Sequence, residues 1–516
     1  MPNSAKMLLC LFLCMCVLDE FESRAVPLRQ TIVYPKVVES REDGTGHTVS
    51  ITEGLTLFLE KSPPVFSEEF LTRTIDHAGR TTDEYVQATT IEKNLFHDDN
   101  AVASIFLTQD TGVRMEGVIG HRLRIKPMEE AERSLEGHVA HILIEDQPQQ
   151  VTPRTDYAQR MEELFSSEIK PGIRISSRNE RTKIATPEVH LLLDSHFTAA
   201  MSYNKSRIQR YIAVFMNAVN IRYRTVPKPR IQLAIVGLTF VWNTRDEPYI
   251  VGSYIDSDLM FDQESLLLID EHYRNHKEYI QADIFFTMTG RNLAFIISES
   301  FVSGLVMGYS FLGRACTTFK VGVAQDDPET YEALWVVTHE IAHLLGSTHD
   351  AEPAYELIPG NMGAEKCPSE QGYIMSYQNN HDENRHRFSP CSIEQLHNFI
   401  SLNTSACLYE KHPHPQPPPP TNKFPGEGNF SLDEVCFASF GHMMPDVVQD
   451  KSQPLQDCVI SCGAPGAPVD EALKLEIPDG FPCDADRVRD KMCVAGRCVW
   501  DPRKFGFSQA IKPRLN

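Results

Sequence analysis

The chain has 516 residues, of which 41% are hydrophobic and 23% charged, and its formal net charge is -21. This length exceeds what a single hydrophobic core organises, so we predict several domains. The acidic balance argues against a nucleic-acid-binding protein, because contacts to a phosphate backbone need clustered Lys and Arg, and it favours an acidic extracellular protein.

The first element is an apolar run from Met7 to Leu18 that follows Lys6. Its length suits the core of a signal peptide, whereas a membrane span needs about 20 residues. We therefore predict a signal peptide over residues 1–25 and a secreted protein, with a signal anchor as the alternative. The most apolar later segment, residues 293–309, is interrupted by Glu299 and is predicted to form a buried helix and turn, so no membrane span is expected.

Residues 26–181 contain no cysteine and include alternating segments such as HTVSITEGLTLFLE, which predict a β-rich domain. Arg178 and Arg181 form an Arg-x-x-Arg sequence of the kind that secretory convertases cut. We predict that residues 26–181 are a prodomain and that the mature protein begins at Thr182.

Residues 182–410 alternate between predicted strands and helices, which favours an α/β domain with a mostly parallel sheet flanked by helices. The strand segments are VHLLLD, RIQLAIVGLTFVW, ADIFFTMTG and FKVGVAQ, and the helix segments are RIQRYIAVFMNAVNIRY and ESLLLIDEHYRNH. Residues 411–428 are rich in proline and predict an extended linker, in which His412 and His414 are solvated. Residues 429–516 are dense in cysteine and predict a small disulfide-held module.

Cysteine placement also indicates export. Three of the thirteen cysteines would leave with the signal peptide, and the remaining ones divide into two even sets, as expected for disulfides closed within each domain. The first set is Cys316, Cys367, Cys391 and Cys407, and the second is Cys436, Cys458, Cys462, Cys483, Cys493 and Cys498.

The stretch THEIAHLLGSTHD, residues 338–350, predicts a metal centre on a helix that begins with Asp327 as N-cap. His339 and His343 lie one turn apart on the same face. Gly346 allows the chain to turn sharply, so that His349 returns as a third ligand. Three neutral imidazoles suit Zn²⁺ with an open fourth position, and Glu340 is placed to take the proton of an attacking water.

HEIAHLLGSTHD followed by GYIMSY resembles the metzincin metalloendopeptidases, and Asp350 after the third histidine is typical of the adamalysin, or reprolysin, branch. GRACTTF and FSPCS also resemble that branch, and the whole layout is similar to the secreted reprolysin-like metalloproteases of tick saliva. The resemblance implies a twisted, mostly parallel sheet with an antiparallel edge strand and an active-site helix. It makes His339, His343 and His349 the zinc ligands and Glu340 the general base.

The same resemblance implies that Met375 forms the floor under the metal and that Asp350 anchors the loop of His349. It pairs Cys316 with Cys407 and Cys367 with Cys391. The prodomain lacks the cysteine that silences many metzincin precursors, so latency requires occlusion of the cleft unless the region mainly assists folding.

Two features leave alternatives open. Tyr377 is predicted to be a packed turn residue, with stabilisation of an oxyanion as the alternative, because the astacin branch keeps a tyrosine there. Glu188 resembles a calcium ligand of the family, whereas Glu410 stands where an asparagine is expected, so Ca²⁺ binding is not decided.

Together these features predict a secreted zinc endopeptidase, made as a zymogen, that cuts extracellular matrix or plasma proteins of the fibrinogen kind. A substrate strand is expected to lie antiparallel to an edge strand around FKVGVAQ. The alternative is a secreted protein that binds a host receptor through its cysteine-rich tail and carries a vestigial protease fold. Glycosylation is expected at one or more of Asn204, Asn403 and Asn429, and the sequence does not indicate the oligomeric state.

Overall fold

The structure is a computed structural model that describes residues 29–145 without 42 and 129–130, and residues 184–411 without 228, 253–257, 299–300, 304–306 and 379–383. It also describes parts of 431–500: residues 431–440, 444, 446–452, 455, 458–466, 472–477, 481–483, 491–494 and 497–500. The predicted signal peptide, the Arg178–Arg181 cleavage site, nearly all of the linker and Asn429 lie outside these residues. The chain divides into two compact units, Met1–His414 and Pro415–Asn516. A further division of the first unit at Arg181 stays a prediction.

The N-terminal region, residues 29–145, is rich in β-structure, as its alternating pattern predicts. Nine of its strands form an antiparallel sheet in the order β1-β11-β10-β9-β8-β7-β4-β3-β2, and β5 and β6 form a separate hairpin. The elements of the region are β1 Arg29–Val33, β2 Lys36–Ser40, β3 Gly46–Thr52, β4 Leu55–Lys61, β5 Phe66–Ile75, β6 Thr81–Gln87, α1 Thr89–Glu92, β7 Leu95–Asp98, β8 Ala103–Thr108, β9 Arg114–Ile119, β10 Leu123–Pro127 and β11 His141–Glu145.

A seven-stranded sheet forms the centre of the first unit, in the order β18-β19-β15-β12-β13-β5-β6. The five strands from β19 to β5 run parallel, and β18 and β6 pair antiparallel at the two edges. The strands not yet named are β12 Glu188–Leu193, β13 Ala234–Val241, β14 Leu259–Phe261, β15 Ile284–Thr289, β16 Asn292–Ser298, β17 Phe301–Ser303, β18 Gly308–Ser310 and β19 Val321–Gln325. Every residue of β12 and β15 is buried, which explains why both strands are mostly apolar.

Helices pack around this sheet. They are α2 Ser195–Ala200, α3 Lys205–Tyr223, α4 Asp262–Tyr273, α5 Lys277–Ile280, α6 Leu334–Leu344 and α7 Pro390–Ile400, with short 3₁₀ turns at Thr244–Asp246, Ser369–Gln371 and Asn403–Tyr409. The predicted strands at β12, β13, β15 and β19 and the predicted helices at α3 and α4 are confirmed. The chain therefore mixes helices and sheets as its sequence predicts.

Three sequence predictions are wrong in this region. The described residues of the 293–309 segment lie mainly in β16, β17 and β18 rather than in a helix and turn. Because β18 lies outside β19, the edge strand is Gly308–Ser310 and not the FKVGVAQ segment. Helix α6 begins at Leu334 rather than after Asp327, since Glu329 and Tyr331 adopt positive φ angles of 79° and 58° that no α-helix accepts.

The second unit is closed by disulfides, as predicted, whereas a separate domain with the bounds 429–516 stays a prediction. The unit contains α8 Leu432–Phe440, β20 Val448–Gln449, β21 Val459–Gly463, β22 Leu473–Glu476, β23 Lys491–Val494 and β24 Arg497–Trp500. Its six cysteines close on one another as Cys436–Cys462, Cys458–Cys493 and Cys483–Cys498. The two disulfides implied for the first unit, Cys316–Cys407 and Cys367–Cys391, are confirmed. No helix among the described residues has both the length and the apolar character needed to cross a bilayer.

Candidate metal centre

Helix α6 carries the first two predicted ligands on one side. His339 and His343 are buried, and their Nε2 atoms are 3.0 Å apart because i and i+4 residues lie one turn apart on the same face. Val337, Ile341 and Leu344 are fully buried in the main hydrophobic core. This apolar packing fixes the helix and directs the histidines to a single point.

The third predicted ligand, His349, follows a sharp turn at a position that requires glycine. Gly346 has φ of 88°, and a Cβ atom there would lie 2.8 Å from Phe399 Cδ2. The turn is closed by hydrogen bonds from Gly346 N to His343 O and from Ser347 N to Ala342 O. As a result, His349 Nε2 lies 3.1 Å from the Nε2 atoms of both His339 and His343.

The hydrogen-bond partners of the three imidazoles set their tautomers. The Nδ1 atoms of His339 and His343 lie 2.7 Å from the carbonyl oxygens of Ile374 and Ser347. Nδ1 of His349 lies 2.9 Å from Glu352 Oε1. Because each acceptor requires a proton on Nδ1, each Nε2 presents its lone pair to the common point.

The three nitrogens fit a zinc ion. Zinc lies about 2.0–2.1 Å from an imidazole nitrogen, so three ligands of a tetrahedral site are roughly 3.3 Å apart. The observed separations of 3.0 and 3.1 Å are close to this value. His339, His343 and His349 also form one of the groups of metal-ligating side chains in the described part of the chain.

Glu340 lies next to His339, the first predicted ligand, and is held by the edge strand. Its carboxylate oxygen Oε2 accepts a hydrogen bond of 2.6 Å from Ser310 Oγ, whose hydroxyl also lies 3.1 Å from the backbone oxygen of Glu340. The other carboxylate oxygen passes close to Gly308, where a Cβ atom would lie 2.7 Å from Oε1. Strand β18 therefore holds one oxygen of a carboxylate that is nearly fully buried, and the absence of a Cβ at Gly308 leaves room for the other.

Comparison with known proteins identifies this arrangement. Residues 185–389 match the reprolysin-type model of metallo-peptidase family M12. The venom metalloproteinase antarease-like TfasMP_A of Tityus fasciolatus is 30% identical over 231 residues, which are 43% of this chain and 96% of that protein. The chain belongs to family M12, the reprolysin-type metalloproteinases.

A more extended likeness reaches into the N-terminal region. The venom metalloproteinase antarease-like TtrivMP_A of Tityus trivittatus is 25% identical over 400 residues, covering 75% of this chain and 95% of that protein. Metalloproteinase-II from Bacteroides fragilis is a distant structural likeness, with 12% identity and a TM-score of 0.39 over 75% of this chain and 95% of that one. As a reprolysin-type protein, the chain is a zinc metalloprotease. Its specific likeness to tick salivary enzymes stays a prediction.

Asp350 connects the loop of His349 to two other segments of the reprolysin domain. Its backbone N–H donates to Met375 O at 2.8 Å, and Met375 itself is fully buried. Its carboxylate accepts hydrogen bonds from Ser389 Oγ at 2.5 Å and Ser392 Oγ at 3.3 Å, at the start of α7. Burial raises the pKa of Asp350 to about 6, an effect that the two serine hydroxyls partly oppose.

Tyr377 reaches the same point as the histidines. The side chain is half-buried, and its hydroxyl oxygen lies 2.8 Å from His349 Nε2. Its ring centroid is 4.6 Å from that of His349. The turn after Met375 thus brings a phenol into the candidate centre.

Two residues that support the centre were not among the predicted site residues. Glu352 accepts hydrogen bonds from both the ring and the backbone N–H of His349, at 2.9 and 3.1 Å. Its position three residues after a ligand was an available signal. Ser310 had no local signal, because it reaches Glu340 only through the pairing of β18 with β19.

The residues considered for calcium lie apart from this centre. Glu188 is buried at the start of β12, where its N–H donates to Asp283 Oδ2 at 2.9 Å, and Glu410 is exposed. In the described residues, the groups of metal-ligating side chains include Asp283 with Cys316 and Cys407 but neither glutamate. Calcium binding stays a prediction.

Proposed function

We propose that this zinc metalloprotease is a secreted endopeptidase, made as a precursor, that hydrolyses internal peptide bonds of extracellular proteins. The observation that carries the proposal is the meeting of three imidazole Nε2 atoms within 3.1 Å of one another, beside the Glu340 carboxylate. A structural zinc site closes its fourth position with another protein ligand, whereas three histidines leave one position open for chemistry.

The proposed roles follow from these positions. His339, His343 and His349 hold zinc, which when bound supplies Lewis acidity toward the scissile carbonyl and makes an attacking water more acidic. Glu340 takes a proton from that water and gives it to the departing amine. Ser310 holds the Glu340 carboxylate through a hydrogen bond and Gly308 leaves the space that the side chain needs, so the base needs no rearrangement before it acts.

Strand β18 is the strand with which we propose that an extended substrate pairs. It is the last of the described strands on its side of the central sheet, and it carries the residues that hold Glu340. A substrate strand that pairs antiparallel with its outer edge would place a peptide carbonyl beside the three histidines. Because such pairing needs several substrate residues on both sides of the bond that is cut, it favours cleavage of internal peptide bonds in extended segments over cleavage at chain ends.

Two point substitutions test the proposal. Glu340→Ala should retain zinc and lose at least about 10²-fold in kcat on a peptide library, the low end for a positioned base. His343→Ala should lose zinc and activity together, because two imidazoles hold the ion less tightly. Zinc content is measured on purified protein by atomic emission, and activity on the same preparation.

Matched controls use residues away from the centre. Glu394 is exposed on α7, and His397 on the same helix bonds the backbone oxygen of Pro227. Glu394→Ala and His397→Ala should keep both zinc and activity. A Glu340→Ala protein that keeps the full biological effect of the parent, although it cuts no peptide, would replace the endopeptidase with the receptor-binding alternative.

A further inference from the structure

The N-terminal region is joined to the reprolysin domain by a continuous β-sheet. Strand β5 pairs parallel with β13, with Leu71 opposite Gly237 and Ile75 opposite Val241. Backbone hydrogen bonds run from Ile235 N to Val65 O at 2.8 Å and from Trp242 N to Ile75 O at 3.0 Å. Without β5, β13 would expose a long row of unpaired backbone groups at the edge of a parallel sheet.

The two regions also share one hydrophobic core. Phe66, Phe70, Leu95 and Val118 of the N-terminal region belong to the same cluster of buried residues as the strands and helices around α6. The rings of Phe66 and Phe70 stack with centroids 4.5 Å apart. Separation of the two regions would expose these side chains to water.

Buried polar contacts add specificity to this interface. Ser104 Oγ of β8 donates to the backbone oxygen of Val214 in α3 at 2.8 Å, and Asn217 Nδ2 donates to Ser104 Oγ at 2.9 Å. Arg73 of β5 forms an ion pair with Glu278, whose side chain is 1% exposed. Removal of one partner from such a contact costs free energy, because the other group is then left buried without a hydrogen bond.

One contact reaches the turn that leads into the active-site helix. Glu329 and Tyr331 have positive φ angles, which non-glycine residues adopt only when their surroundings enforce them. Arg124 of β10 donates from Nε to Thr330 O at 2.6 Å and from Nη2 to Tyr331 O at 3.5 Å. Arg124 is buried, so these bonds are formed away from bulk water.

The shared sheet keeps the hairpin of the N-terminal region away from the strand proposed to hold substrate. Between β18 and β5 lie β19, β15, β12 and β13. With strands about 4.8 Å apart, β5 is roughly 24 Å from β18. The β5–β6 hairpin can therefore stay in place while a substrate pairs with β18.

We infer that residues 29–145 remain bound after the chain is cut following Arg181, as a non-covalent part of the enzyme that holds the turn before α6. The inference rests on the proposed cleavage of the precursor after Arg181, but the interface between the two regions does not depend on catalysis. The N-terminal region is then a retained support of the active site rather than an inhibitor that leaves. Arg124 acts as a positioning residue for α6.

The first experiment measures retention. The full chain, carrying a C-terminal affinity tag, is cut with a secretory convertase and captured in native buffer. We expect the N-terminal fragment to elute with the tagged fragment in about equal amount and to be released only by denaturant. A fragment found in the native flow-through overturns the inference. The double variant Arg178→Ala and Arg181→Ala should stay uncut and serves as the control for cleavage at this site.

The second experiment tests the contact at the turn. Arg124→Met keeps the packing of the stem but removes both hydrogen bonds to the turn, so kcat on a short peptide should fall about fivefold or more, with KM and zinc content unchanged. Arg133→Met is the matched control, because Arg133 donates to the carbonyl oxygens of Gly137 and Thr111 within its own region. Equal kcat for the Arg124 variant and its parent overturns the positioning role.

The two proposals fail in different ways. A cut protein that keeps its N-terminal fragment but cleaves no peptide would refute the endopeptidase and leave the retained interface intact. A cut protein that releases the fragment and remains fully active would refute the retained interface and leave the endopeptidase intact.

Discussion

Ser310 Oγ donates a hydrogen bond of 2.6 Å to Glu340 Oε2 and so connects the edge strand to the proposed general base. A hydrogen bond to a charged group contributes about 1.5–3 kcal/mol when both partners are buried. We expect Ser310→Ala to lower kcat about 10-fold, because the carboxylate loses its fixed orientation, while KM and zinc content stay at the parental values.

The control for this prediction is Ser401→Ala, since Ser401 Oγ bonds the Asn398 oxygen at the end of α7 and lies outside the centre. Ser310→Thr keeps the hydroxyl and should recover part of the activity. If Ser310→Ala and Ser310→Thr reduce kcat equally, the effect comes from packing and not from the hydrogen bond.

Gly308 leaves the space that the Glu340 side chain occupies. An added Cβ atom would lie 2.5 Å from Val336 Cγ1 and 2.8 Å from Glu340 Cγ, well inside normal contact distance. Gly308→Ala should therefore displace the base and reduce kcat more strongly than Ser310→Ala does, with zinc retained. A melting temperature within about 3 °C of the parent would separate this local effect from a loss of fold. Gly54→Ala, in open space, is the matched control.

Glu352 orients the third ligand through the hydrogen bond of its carboxylate to His349 Nδ1 at 2.9 Å. Removal of such a partner typically weakens metal binding about 10–100-fold, because the ligand loses both its tautomer preference and its ring orientation. We expect Glu352→Ala to raise the Kd for zinc by that factor, measured by competition with a chelator of known affinity. Glu356→Ala is the control. Equal zinc affinity in the two variants would show that the carbonyl groups of Ser347 and Ile374, together with the fold, suffice to orient the zinc-binding histidines.

The sequence predicted the parts of the centre that are close together in the chain. His339, His343 and His349 lie within one helix and one glycine turn, so spacing alone brings them together. Ser310 depends on the register of β18 against β19, and β5 depends on pairing with a strand far along the chain. Neither register leaves a local pattern in the sequence.

The start of α6 shows how local signals can mislead. Asp327, Pro328 and Glu329 have the pattern of a helix N-terminus, yet the helix begins later. The Asp326 side chain accepts the N–H of Ala333 at 3.0 Å and so caps the helix from seven residues upstream. This tertiary contact outweighs the local preference, and the intervening residues form a turn that Arg124 and Tyr211 contact.

Asp326 should make stability depend on pH. Burial raises its pKa to about 7, although hydrogen bonds from Tyr211 and Ala333 oppose the shift. Because the folded carboxyl then binds a proton more tightly than the unfolded one, its contribution to the free energy of unfolding falls as pH rises from about 4 to about 7. Asp326→Asn removes this dependence. Its melting temperature relative to the parent should therefore rise with pH, by the equivalent of about 1 kcal/mol or more at pH 7.5.

The comparison for this prediction is Glu394→Gln, which alters an exposed carboxylate on α7. The difference in melting temperature between that variant and the parent should stay constant between pH 4.5 and pH 7.5. A constant difference for Asp326→Asn as well would mean that the carboxyl ionises in the folded protein as it does in the unfolded chain.

Tyr377 presents its hydroxyl 2.8 Å from His349 Nε2, at the point where the three imidazoles meet. The Nδ1 atom of His349 bonds Glu352, so Nε2 carries the lone pair and the phenol is the donor. A bound zinc ion would use that same lone pair, and the hydroxyl would then be free to donate to an oxygen of the substrate. Loss of a preorganised donor to a developing oxyanion lowers kcat about 10²–10³-fold in other enzymes from which such a donor has been removed.

We expect Tyr377→Phe to lower kcat at least about 10-fold with KM and zinc content unchanged, whereas Tyr373→Phe, four residues earlier, should match the parent. Unchanged kcat in Tyr377→Phe would leave the tyrosine with the packing role that its place in the turn first suggested.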